Sequence, residues 1–146
     1  MSKELGFSTA KGYIETDGSV LKLKDITQDT NGVLKIGNVI IPQKILLWSG
    51  EVSSENTVSL SSNIKVGDTI EVCIKLGDMC KRIEKFKAIA NLETGEVGGY
   101  YYASCSRVYG GVTDICSCDI DYTASQISIS NSTQNAKLYS VYKIIE

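Results

Sequence analysis

Between turn signals that recur about every eight to twelve residues, this chain alternates apolar and polar side chains with a period near two. Successive side chains of an extended strand point to opposite faces, so that rhythm marks strands with one wet side and one buried side. Residues 69–76, Thr-Ile-Glu-Val-Cys-Ile-Lys-Leu, put Ile70, Val72 and Ile74 on one face and Glu71, Cys73 and Lys75 on the other. Residues 82–90 mix the periods of helix and strand and are assigned to a strand, while 99–109, 112–122, 126–130 and 137–145 continue the alternation. The pattern predicts an all-β protein, an antiparallel β-sandwich of jelly-roll or immunoglobulin-like type.

Turn chemistry sets the connections. Gly110-Gly111 sits between two such segments, where a tight hairpin needs positive φ, so residues 99–122 are expected to form one long hairpin. Asp17-Gly18 and Asn31-Gly32 mark two more tight turns, flanked by Tyr13-Ile14, Val20-Leu21-Lys22-Leu23 and Val33-Leu34-Lys35-Ile36. Pro42, the only proline, lacks the N–H a central ladder needs and precedes a new apolar stretch. We therefore expect a short N-terminal hairpin segment, residues 1–43, for attachment or oligomerisation, followed by a sandwich domain over 44–146. No internal repeat or heptad competes with that division.

A chain of 146 residues suffices for one domain with a core. Its 15 basic against 17 acidic residues give a net charge of −2, which implies neither nucleic acid nor an anionic membrane as partner. No apolar run approaches the roughly 20 residues of a membrane-spanning helix, so no membrane insertion is expected. The start, Met1-Ser2-Lys3-Glu4-Leu5-Gly6, has no apolar h-region, so the chain is expected to be made in a cytoplasm.

The chain contains no histidine. That removes the commonest general base, the Ser-His and Cys-His nucleophile pairs and the usual catalytic zinc ligands, so neither a catalytic site nor a cofactor is expected. Five cysteines, Cys73, Cys80, Cys105, Cys116 and Cys118, lack CxxC spacing. Cys116 and Cys118 share a strand face with Ile120 and Tyr122, and such an apolar face favours thiols packed as small hydrophobes over a metal site. Asp114, Asp119 and Asp121 lie close together, the latter two on one side of a strand, but their spacing is not that of a calcium loop. Asn131-Ser132-Thr133 has the form of a glycosylation sequon, and a polar turn is the preferred reading.

Tyrosine is the notable enrichment. Tyr100, Tyr101, Tyr102 and Tyr109 cluster on the expected hairpin, and a side chain with an apolar body and a polar tip suits subunit interfaces and glycan-binding faces. Tyr100, Tyr102 and Tyr109 are the binding or interface candidates there, and Trp48 is expected as a core or interface anchor.

Three stretches carry a resemblance to a known group. They are Ile45-Leu46-Leu47-Trp48-Ser49-Gly50, then Thr57-Val58-Ser59-Leu60-Ser61 followed by Ile64, Asp68 and Ile70-Glu71-Val72, and the closing Leu138-Tyr139-Ser140-Val141-Tyr142-Lys143-Ile144-Ile145. Over residues 32–146 the chain resembles small modules of tail-fibre, receptor-binding and head-fibre proteins of phages infecting Gram-positive bacteria. It departs from their pattern in having no repetitive shaft before the module and in carrying Lys143 where they close with glycine. The resemblance implies a β-sandwich that is a non-catalytic structural part of a virion, commonly a homotrimer, with other virion proteins and bacterial surface glycan as partners. A capsid decoration protein is the nearest alternative; a carbohydrate-active enzyme or a small metal-binding protein are the alternatives from other classes.

Overall fold

Thirteen strands and no helix occur among the described residues, which are 13–16, 19–22 and 26–146 of a computed structural model. Strand pairing is antiparallel at every described pair. The chain divides into two compact units, residues 1–45 with 145–146, and residues 46–144.

In the first unit, β1 (Tyr13–Thr16) pairs with β2 (Ser19–Lys22). The expected turn at Asp17-Gly18 between them lies outside the described residues. β3 (Ile26–Gln28), β4 (Leu34–Ile36) and β5 (Val39–Ile40) form a three-stranded sheet. The expected turn at Asn31-Gly32 joins β3 to β4: the Asp29 carboxylate accepts from the N–H of Asn31 at 2.8 Å and of Val33 at 3.0 Å, and Gly32 adopts φ +81°. Pro42 falls between β5 and β6 (Gln43–Ser53), outside either ladder, so its missing N–H breaks no sheet bond.

The second unit holds most of β6 together with β7 (Thr57–Ser59), β8 (Thr69–Leu76), β9 (Cys80–Lys87), β10 (Gly98–Tyr109), β11 (Val112–Thr123), β12 (Gln126–Ser130) and β13 (Ala136–Ile145). The strands form two four-stranded sheets, ordered β6-β13-β8-β9 and β10-β11-β12-β7. Eight strands in two sheets is the jelly-roll count rather than the seven or nine of immunoglobulin domains. The long hairpin forms as expected, β10 against β11, with Gly110 and Gly111 at φ +57° and +80°.

The core lies between these sheets. Ile70, Val72, Ile74 and Leu76 of β8 are fully buried and face Cys116, Cys118 and Ile120 of β11 with Ile127 and Ile129 of β12. Each buried aliphatic side chain of this size contributes about 1.5–3 kcal/mol. Phe86 of β9 spans the gap: its ring centroid lies 5.1 Å from those of both Tyr101 and Tyr122 in the opposite sheet. In β6 it is Leu47, 2% exposed, that enters the core, while its neighbour Trp48 is half-buried.

A register shift between Leu138 and Ser140 breaks the alternation of β13. The extra residue turns both Leu138 and Val141 inward, and two residues later Lys143 is carried inward as well. Its ammonium meets Asp68 Oδ2 and the Asn63 carbonyl, each at 3.2 Å.

Candidate functional site

The register of the β10-β11-β12-β7 sheet assembles a polar, aromatic face on its outer side. With Tyr101, Ala103, Cys118 and Ile120 turned to the core, the intervening residues must point out. Tyr100 lies opposite Asp121, Asp121 opposite Ser128, and Ser128 opposite Thr57. The next row runs from Tyr102 to Asp119 to Ser130. Neighbours within a row are about 4.8 Å apart and the rows about 7 Å apart, by strand geometry. Tyr100 and Tyr102 are 68% and 57% exposed.

The carboxylates are held by the β12–β13 side of the face. Ser130 Oγ donates to Asp121, and Asn131 Nδ2 donates to Asp119 Oδ2 at 2.8 Å. Asn131 sits at φ +47°, so the apparent sequon is a tight polar turn that fixes Asp119. Beside the first row lies an open depression of about 300 Å³, lined by Thr57, Gly99, Asp121, Thr123, Gln126 and Ser128.

Such a face can offer aromatic planes for the C–H side of a flat ligand, together with fixed carboxylate and hydroxyl acceptors for its hydroxyls.

The candidates read from sequence separate into three places. Tyr100 and Tyr102 stand together on this face. Tyr109, 81% exposed, lies at the hairpin tip with Val108 and Val112, about 30 Å along the strand from Tyr100. Trp48 belongs to the other sheet, where its indole covers Gly50 so closely that a Cβ there would come within 2.8 Å of Cζ2. Tyr101 turns inward and its hydroxyl donates to Glu84 Oε2 at 3.0 Å. Burial, with the Glu84 carboxylate adding to it, pushes its pKa up.

Of the cysteines, Cys116 and Cys118 lie on the buried face of β11 with Ile120 and Tyr122, and burial pushes the Cys118 thiol up to about 12. Cys73 lies on β8 at a position turned away from that core, with Glu71 and Lys75. Among the described residues no three Cys, Asp or Glu side chains converge as a metal site.

Ser128, Ser130 and Thr57 went unnoticed as site residues in the sequence. Nothing local singles them out: Ser128 and Ser130 meet Asp121 and Asp119 only through the pairing of β11 with β12, and Thr57 joins them from about 70 residues away in the chain. Compared with known proteins, the chain matches no family model and no curated sequence.

Proposed function

We propose that this chain is a non-catalytic binding module of a bacteriophage particle, of the tail-fibre or receptor-binding type, and that the outer face of the β10-β11-β12-β7 sheet engages bacterial surface glycan. The observation behind the reading is the pair of exposed rings, Tyr100 and Tyr102, set directly against Asp121 and Asp119. Burying an aromatic side chain of this kind stabilises by about 1.5–3 kcal/mol, and the core draws that from Tyr101 and Tyr122 but not from these two. A partner surface would. The carboxylates, already oriented by Ser130 and Asn131, then act as acceptors whose ordering cost was met on folding.

The virion setting comes from the resemblance over residues 32–146. It brings with it a homotrimer, in which three weak sites gain avidity and the open sheet edges are covered. The test is depletion of the purified protein by intact host cells and, separately, by undecorated capsids. Cells should deplete it, and Tyr100→Ala with Tyr102→Ala should abolish depletion without loss of folding. Depletion by capsids alone would overturn the reading, as would release of new reducing ends from cell-wall polysaccharide.

One observation favours capsid decoration as the second reading. The hairpin tip exposes Val108, Tyr109, Val112 and Ile115, at 73%, 81%, 62% and 56%, an apolar set suited to docking on protein. In that case Val108→Asp should abolish capsid retention.

A further inference from the structure

The edge strands of the two sheets, β9 and β10, meet along the open side of the sandwich in a definite order. Phe86 stacks on Tyr101 with ring centroids 5.1 Å apart, the Tyr101 hydroxyl donates to Glu84 Oε2 at 3.0 Å, and Arg82 Nη1 donates to the Ser104 carbonyl at 2.7 Å. Arg82 is also ion-paired with Glu84. Passing toward the hairpin tip, the next residue of β9 on this face is Cys80 and the next of β10 is Cys105. With Arg82 tied to Ser104, that order sets Cys80 and Cys105 side by side across the open edge.

A third thiol lies close by. Cys105 stands opposite Cys116 in the hairpin register, but Cys116 is 1% exposed and its Sγ is already engaged by Met79 Sδ at 2.9 Å. Cys80 and Cys105 are both half-buried, so a small oxidant reaches them.

We propose that Cys80 and Cys105 form an intramolecular disulfide that joins the two sheets at their open side when the protein meets hydrogen peroxide or a low-molecular-weight disulfide. With peroxide, one thiolate attacks an oxygen, hydroxide leaves, and the sulfur becomes a sulfenic acid. The second thiol then attacks that sulfur, the S–S bond forms and water leaves, so two thiols and one peroxide give one disulfide and two waters. With a low-molecular-weight disulfide, the same two electrons pass to the reagent through a mixed disulfide and leave it as two thiols.

Burial, with the neighbouring Cys105 adding to it, pushes the Cys80 thiol up to about 11. The reactive thiolate is therefore scarce at neutral pH, and closure accelerates as pH rises from 7 toward 10. The bond would close a loop of about 25 residues, which constrains the unfolded chain and raises the melting temperature by roughly 10 °C.

The experiment treats the native full chain with peroxide at pH 9, blocks remaining thiols with iodoacetamide and maps the peptides by mass spectrometry. The expected result is a loss of about 2 Da before blocking, a peptide linking Cys80 to Cys105, and the higher melting temperature, reversed by dithiothreitol. Cys80→Ser and Cys105→Ser should each abolish it, and Cys73→Ser should not. A map that links Cys105 to Cys116, or a native chain that stays fully reduced while the urea-unfolded chain oxidises, would overturn the assignment.

Discussion

Lys143 is buried by the irregularity of β13, and its replacement by methionine should destabilise the sandwich by about 2–3 kcal/mol. Its ammonium lies 3.2 Å from Asp68 Oδ2 and 3.2 Å from the Asn63 carbonyl, with the lysine side chain 8% and the aspartate 23% exposed. At an effective dielectric of about 20 the ion pair is worth roughly 5 kcal/mol of attraction before desolvation is charged against it. Methionine keeps the buried stem and removes only the charge and its donors. Asp68 then retains the Lys65 N–H at 2.8 Å and some water, so the loss falls below the roughly 3–5 kcal/mol of a completely buried broken pair. Urea denaturation followed by circular dichroism measures the change, with a cycle through Asp68→Asn and the double variant to isolate the coupling. A coupling above about 1 kcal/mol is expected. If Lys143→Met lies within about 0.5 kcal/mol of the parent chain, the pair behaves as a surface one and the reasoning is refuted.

Phe86→Ala should cost about 3–5 kcal/mol, since the ring fills the space between the sheets against Tyr101 and Tyr122; a calorimetric melt reads it, and a small loss would mean the gap collapses freely. Gly77→Ala should cost about 1–2 kcal/mol in urea, because Gly77 holds φ +53° and a Cβ would come within 3.1 Å of the buried Cys116 Sγ. Lys137, hydrogen-bonded to Glu51, holds that carboxyl below its ordinary 4.5. The contribution of the pair to stability is thus present above 4.5 and lost as pH falls through the lower folded value. An NMR titration should place the Glu51 midpoint below 4.5 and return it toward that value in Lys137→Ala.

What the residues dictated alone was local. The pleat forces Ile70, Val72 and Ile74 to one face whatever else the chain does, and two adjacent glycines make the positive φ angles at 110 and 111 cheap. So the strands, the long hairpin and the outward turn of Tyr100 and Tyr102 were legible beforehand. Ile45-Leu46-Leu47-Trp48 has no period, since all four are apolar, and only the closed sandwich chose Leu47 for the core. Tertiary structure likewise brought Thr57 beside Ser128, turned Lys143 inward and set Cys80 beside Cys105. These contacts join residues far apart in the chain. They are fixed by which edges pair and where a strand slips register, and side-chain alternation along one strand carries no information about its partner.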